Sequence, residues 1–406
     1  MHKWLFLDLN GYFASVEQQV NPELRGKPVA VVPMIADNTS CIAVSYEAKA
    51  FGVKGGTRVA DAKAMCPGLI LREADHHHYI DYHERIIEAV DSVLPVDRVC
   101  SIDEMAFRLM GTQREEANAI KLAHALKKVI LTQVGSQLKC SIGIAPNRYL
   151  AKIACDMQKP DGLIILNKEE LPGRLVGLKL RDLPGVGHNM ESRLHRYGIF
   201  TMEQLIALSE HELRQVWGSI NGKELWHWLR GEETDEKPTQ RTVVGHSHVL
   251  PPESRNWVDA EKIMKKLIHK AAVRLRKESF YAARISIHVK LLGSRDSGGG
   301  GYFENSLKLI ETQDTREFVG AFRELWKNLP ETPPLRVGVD FSDLIEAEHH
   351  TPSLFEDPKA ATVTALLDNI NKKFGRDKIY FGAVHEAIDA APTRIAFSRI
   401  PSKDEV

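Results

Sequence analysis

The sequence predicts an α+β fold divided into several domains. Three observations carry this: the length, an N-terminal third in which strand-like and helix-like apolar patterns alternate, and a polar break at "GEETDEKPTQR" after which strand-like runs resume. At 406 residues and 43% hydrophobic, the chain can bury a large core and exceeds the usual size of one domain.

Taken in order, "KWLFLDL" and "KPVAVV" read as strands, and "SYEAKAFGV" and "TRVADAKAM" as helices after turns. "HHHYIDYHERIIEAVDSVL" has apolar residues at helical spacing, "RVCSIDEMAFRLM" reads as one strand, "EEANAIKLAHALKKVILTQV" as a helix and "KCSIGIAPN" as a strand closed by Pro146. Residues 166–233, which include "LRDLPGVGHNMESRLHRYG", read as a shorter helical region. Beyond the linker at 234–240, "ISIHVKLLG", "GYFENSLKL" and "RVGVDFSDL" with the helix "EKIMKKLIHKAAVRLRK" predict a smaller α+β domain over 241–345. Residues 346–406 read as a tail with one helix and a last short strand.

No run approaches the roughly 18 apolar residues of a membrane span, and "MHKWLFLDLN" meets a charge too early for a signal peptide, so a cytoplasmic protein is expected. The five cysteines form no C-x-x-C pair, which points to reduced thiols. "ADHHHYIDYH" is histidine-rich but lacks the spacing that completes a tetrahedral metal site. Formal charge is zero, 54 basic against 54 acidic residues, yet the run from Lys262 to Arg295, with Lys265, Lys266, Lys270 and Arg274, is strongly basic. Such a stripe is either a solvated helix face or a phosphate-tracking surface.

Asp103 and Glu104 stand side by side inside an apolar run, where an unpartnered charge costs several kcal/mol. A hard divalent cation would satisfy them if a third carboxylate were near. Asp8 ends the first strand and precedes a Gly11 turn into a helix, whose backbone N–H groups suit phosphate. Three acids at neighbouring strand ends suit two magnesium ions and phosphoryl or nucleotidyl transfer. Tyr46 and Lys49 share one helix face, and Lys159 precedes a proline turn; each could contact a triphosphate.

"DLNGYFASVE", "NPELRGKPVAV", "SYEAKAFGVKGGT", "AKAMCPGL", "SIDE", "CSIGIAPNRYLAKIACDMQKPDG" and "LPGVG" occur in this order over about residues 5–190. Together they closely resemble the Y-family translesion DNA polymerases of bacteria, with a tail closer to the mutagenesis-type branch. The resemblance implies a right-hand polymerase: palm (1–33 and 75–165), small fingers (34–74), helical thumb with a helix-hairpin-helix (166–233), and little finger (241–345). It implies Asp8, Asp103, Glu104 and the carbonyl of Leu9 as ligands of two Mg2+ ions, and Tyr12, Phe13, Tyr46, Lys49 and Lys159 at the incoming dNTP. Phe13 falls at the steric gate against a ribose 2′-hydroxyl. Gly185 and Gly187 of "LPGVG" would bind a primer-template phosphate, and the basic run, with Lys265, Lys266, Lys270 and Arg274, would grip the duplex. Leu354 and Phe355 in "HTPSLFEDP" resemble a sliding-clamp peptide that lacks its leading glutamine.

Two departures stand out. Asn10 occupies a position where many members carry Asp, and Lys49 replaces an Arg whose fork a lysine cannot reproduce. The expected activity is low-fidelity DNA synthesis past damaged bases by a monomer. The rival is a catalytically weak, polymerase-like accessory protein, which erosion of Asp8, Asp103 or Glu104 would favour; all three are present.

Overall fold

The computed structural model describes residues 2–234, 240–293, 301–351, 358–395 and 399–403. Leu354 and Phe355 therefore lie outside the described residues. The chain forms two compact units, Met1–Glu236 with Arg394–Asp404, and Lys237–Thr393.

The first unit opens with β1 (Trp4–Leu9), α1 (Tyr12–Val20), β2 (Val29–Val32), β3 (Ala43–Val44), α2 (Tyr46–Lys49), α3 (Val59–Met65) and β4 (Ile70–Glu73). It continues through α4 (His76–Asp91), β5 (Arg98–Val99), β6 (Glu104–Arg108), α5 (Glu116–Val129), β7 (Cys140–Ala145), α6 (Arg148–Met157) and β8 (Leu163–Ile165). Four short helices follow: α7 (His188–Arg196), α8 (Met202–Ala207), α9 (Glu210–Trp217) and α10 (Ile220–Leu229).

The main sheet runs β5-β6-β1-β7-β8. All six residues of β1 are buried, as a central strand covered on both faces requires, and this explains its nearly unbroken apolar sequence. A separate sheet, β3-β2-β4, encloses a small core that includes Cys41, Val44, Ala48 and Cys66. Because β2 pairs with β3 and β4 rather than with β1, the small sheet begins before residue 34, earlier than the sequence suggested. The helical region is capped by local chemistry: Thr201 with Gln204, and Ser209 with Glu212, form reciprocal capping boxes at α8 and α9.

The second unit contains β9 (Val243–Val249), α11 (Trp257–Lys277), β10 (Phe280–Leu291), β11 (Tyr302–Thr312), α12 (Thr315–Leu325), β12 (Pro334–Glu346) and α13 (Pro358–Phe374). Its sheet runs β11-β10-β12-β9, and residues alternate along β10 between a face packed on α11 and α12 and an open face.

The C-terminal residues are not an independent tail. Asp368 of α13 receives a two-pronged bond from Arg276 (2.6 and 3.0 Å), and Val384 and Ala387 are buried in a turn packed on α11. After Thr393 the chain rejoins the first unit, where Ile395 and Ile400 pack against its core and Lys403 pairs with Asp81 and Glu84, both at 2.8 Å. Among the described residues no helix is long and apolar enough to cross a membrane.

Candidate active site

The run around Asp103 and Glu104 is a hairpin, not the single strand expected from its apolar pattern. Cys100–Asp103 turns between β5 and β6, with the N–H of Cys100 donating to the carbonyl of Glu104 (2.9 Å). Asp103 therefore lies at a turn rather than inside a strand, and Ser101 Oγ donates to its Oδ1 at 2.5 Å. Glu104 opens β6 and is registered directly opposite Asp8 on β1, and the N–H of Leu9 donates to the Asp103 carbonyl (2.9 Å). Strand pairing thus gathers three acids from residues far apart in sequence. Asp8 is no helix cap, since Gly11 precedes α1 without a capping side chain.

The cations come from α6 and the loop after it. Lys152 Nζ donates to Asp8 Oδ2 (2.7 Å), Glu104 Oε1 (2.8 Å) and Asp156 Oδ1 (3.2 Å), while Lys159 Nζ pairs with Asp8 Oδ2 (2.7 Å) and Asp156 (2.8 Å). Burial raises the pKa of Asp8, but two lysines outweigh it and hold the carboxyl below its ordinary value. For Asp103 burial dominates, with the Asp8 charge adding to it, and its pKa rises. Glu104 also rises, because burial exceeds the help from Lys152. Burial acts to lower Lys152, yet Asp8, Asp156 and Glu104 drive it well above the usual lysine value. Three carboxylates thus share two ammonium groups, and Asp103 adds a fourth that neither lysine contacts, leaving the site acid-rich. The oxygen donors of Asp8, Asp103, Glu104 and the Leu9 carbonyl are of the kind a hard divalent cation takes, with Lys152 Nζ bridging Asp8 and Glu104 in this arrangement.

The expected triphosphate residues collect beside it. Gly11 adopts φ 59°, and a Cβ there would meet the Val44 carbonyl at 3.0 Å, the Lys49 ammonium at 3.9 Å and the Tyr46 ring at 3.9 Å. Glycine thereby lets α1 start against the Tyr46–Lys49 pair, in which the ammonium lies 3.9 Å from the ring centroid. Burial, and then the nearby Lys159 charge, lower the pKa of Lys49, with the Asp8 charge opposing them. Phe13 is half-buried and stacked on Tyr79 (4.1 Å, 9°), with His76 edge-on at 6.5 Å.

Two sequence expectations need correction. Tyr12 is buried and its hydroxyl is spent on the Tyr79 carbonyl (2.6 Å), so its side chain cannot reach a nucleotide. Lys266 is fully buried against Asp377 (2.6 Å), Lys270 donates to the Ala391 carbonyl (2.8 Å), Lys265 pairs with Glu261 (2.7 Å) and Arg274 with Glu278 (3.0 Å). Most of α11 is packed between its own sheet and the C-terminal segment, so a linear run of charge does not form an open cationic face. In "LPGVG", Gly185 takes φ 89°, Val186 is buried, and Gly187 caps α7 without a side chain, leaving first-turn N–H groups for a ligand or water.

Sequence reading missed Lys152. Its signal was present: Lys152 and Asp156 are one helical turn apart, and Lys159 follows at the helix end. A cleft of about 600 Å³ beside Glu104 and Lys152, with Arg98, Arg108 and Arg148 on its walls, was also not foreseen.

Residues 7–156 match the impB/mucB/samB family model, 181–233 the thumb domain described for DNA polymerase iota, and 241–354 the impB/mucB/samB C-terminal domain. A DNA polymerase IV of Moorella thermoacetica is 30% identical over 388 residues, spanning 93% of this chain and 94% of the relative. The chain belongs to the Y-family DNA polymerases. A DNA polymerase IV of Bacillus velezensis is likewise 30% identical, over 98% of this chain and 97% of its own. Among solved structures, a Y-family DNA polymerase chimera of Dbh and Dpo4 superposes with a TM-score of 0.69 at 24% identity, covering 85% of this chain and 99% of that one, a likeness of fold. An insertion ternary complex of Dbh DNA polymerase gives 0.56 at 25% identity, with the same coverage. These matches give the family, and with it palm, thumb and little-finger domains, without distinguishing a branch.

Proposed function

We propose that this enzyme copies damaged templates at low fidelity, joining a dNTP to a primer 3′-hydroxyl with two Mg2+ ions at Asp8, Asp103, Glu104 and the Leu9 carbonyl. The observation that carries the reading is the acid-rich cluster, in which strand register sets Asp8 opposite Glu104 and two lysines leave carboxylate charge uncompensated. When bound, the ions lower the pKa of the attacking hydroxyl and neutralise the departing pyrophosphate. The primer hydroxyl gives up its proton to solvent as its oxygen bonds to the α-phosphorus, and the bond from that phosphorus to the bridging oxygen breaks, releasing pyrophosphate.

The chain's own residues bind and select. Tyr46, Lys49 and Lys159 receive the triphosphate, and the Phe13 ring, backed by Tyr79, excludes a 2′-hydroxyl. Gly185 and Gly187 offer backbone N–H groups to a primer-template phosphate, a contact independent of sequence. For the little finger, the open sheet face with Lys290 and Lys308 suits the duplex better than α11 does. Leu354 and Phe355 remain the proposed clamp-docking pair of a monomeric, cytoplasmic enzyme.

Primer extension on undamaged and lesion-bearing templates with Mg2+ tests the reading: synthesis continues past the lesion, with frequent misinsertion. In the same assay Phe13→Ala should admit ribonucleotides, with discrimination falling on the order of 100-fold while dNTP insertion persists. Unchanged sugar selection would move the gate elsewhere.

A further inference from the structure

Asn10 lies directly after β1, two residues beyond Asp8, and is 3% exposed. Its side chain leaves the metal-ligand strand and reaches the loop that follows Lys159. Asn10 Oδ1 accepts the backbone N–H of Asp161 (2.7 Å), and Asn10 Nδ2 donates to Ser141 Oγ (3.1 Å). Ser141, fully buried on β7, in turn accepts the N–H of Gly162 (3.1 Å). Two consecutive amides of the loop are therefore held by one buried polar pair.

That loop needs holding. Asp161 adopts φ 55°, a conformation costly for a residue with a Cβ, and at Gly162 a Cβ would fall 1.9 Å from the Gln158 carbonyl. Lys127 grips the same turn from outside, donating to the Asp161 carbonyl (2.7 Å) and carboxylate (2.8 Å). Pro160 joins Lys159 to Asp161 with little backbone freedom, so fixing the Asp161 N–H also fixes where the Lys159 side chain starts. The Lys159 ammonium ends 2.7 Å from Asp8.

We propose that Asn10 is a positioning residue for the incoming nucleotide: it locks the Lys159 loop to the strand end that carries Asp8, so that the lysine meets the triphosphate at a set distance from the metal ligands. This rests on the polymerase reading above. The essential group is the Oδ1 acceptor. An aspartate supplies the same acceptor to Asp161, and its second oxygen can accept from the Ser141 hydroxyl, which still accepts from Gly162. Alanine leaves the part-buried Asp161 N–H without its side-chain acceptor.

Single-turnover incorporation as a function of dNTP concentration, on a fixed primer-template, tests this. Asn10→Ala should weaken apparent dNTP affinity about tenfold, the equivalent of one lost hydrogen bond, while the maximal rate and primer-template Kd change little. Asn10→Asp should stay close to wild type, and Lys127→Met should shift dNTP affinity in the same direction but less, which decides the matter even if Asn10→Ala does not fold. Unchanged dNTP affinity in both Asn10→Ala and Lys127→Met overturns the inference, as does Asn10→Asp failing as badly as alanine. A parallel loss of rate, DNA binding and thermal stability in Asn10→Ala, with no effect of Lys127→Met, assigns Asn10 to folding alone and also overturns it. Absence of incorporation by the wild-type enzyme would instead overturn the polymerase reading and carry this inference with it.

Discussion

Helices α6 and α11 each withdraw a lysine from solvent, Lys152 in part and Lys266 fully, and the two use them in opposite ways. On α6, Lys152 faces Asp8, Glu104 and Asp156 at once, and those acids, overriding its burial, raise its pKa far above normal. On α11, Lys266 has Asp377, and burial outweighs that single partner, pulling the ammonium below its ordinary value. Around α6 acids outnumber cations, so charge remains for an incoming metal ion. Around α11 most cations meet a carboxylate, Lys266 with Asp377, Arg276 with Asp368, Lys265 with Glu261 and Arg274 with Glu278, while Lys270 is held by the Ala391 carbonyl and Glu278 also serves Arg241. Density of charge along a sequence therefore says little about function; the local surplus after pairing decides it.

The sharpest way to break this contrast is to create a surplus on α11. Asp377→Ala leaves Lys266 buried and unpaired, and should destabilise the little finger by about 3–5 kcal/mol. Adding Lys266→Met should recover much of that loss, because the buried charge goes with its partner. Urea denaturation read by hydrogen exchange at little-finger amides measures both; a change below about 1 kcal/mol for Asp377→Ala would mean that the lysine finds water.

His269 probes the same packing by pH. It is buried on α11 beside Phe381, and burial, followed by the Lys266 charge, lowers its pKa from 6.5 to about 4; Asp377 and Asp368 oppose this and Arg276 adds to it. Below pH 6.5 the unfolded chain takes up a proton that the folded unit refuses, so stability falls as pH drops from about 6.5 towards 4. Between pH 7 and pH 5 the loss should be about 2 kcal/mol, and His269→Gln should remove that dependence. A pH-independent wild-type little finger would show that the imidazole is not enclosed.

The smallest effects compare the two faces of the little-finger sheet. Lys265→Gln with Arg274→Gln should alter the salt dependence of primer-template binding by less than about one counterion, because both groups are already paired. Lys290→Gln with Lys308→Gln, on the open face, should reduce it by up to about two. The reverse ranking would restore α11 as the duplex surface.

Much of the fold was legible because it is written in periodicity. The buried β1, the amphipathic α4 and the alternating β10 follow directly from residue spacing. The acids were legible too, since a pair such as Asp103 and Glu104 in an apolar run demands a partner. The turn at Cys100–Asp103 was not: it depends on hydrogen bonds across the hairpin rather than on a turn residue. Burial of Tyr12 and Lys266 was also illegible, because each depends on a partner 67 or 111 residues away in the sequence. Lys152 was overlooked because its meaning arises only when β1 and β6 bring Asp8 and Glu104 to the same ammonium.

The central claim is that the acid-rich surplus beside α6 is the catalytic centre. Template-coded incorporation of a single dNTP with Mg2+, measured for wild type and Asp103→Ala at saturating primer-template, tests it most directly. Asp103→Ala should lose incorporation by about 1,000-fold or more, with primer-template affinity retained. Incorporation within about tenfold of wild type would contradict the account and place the chemistry elsewhere.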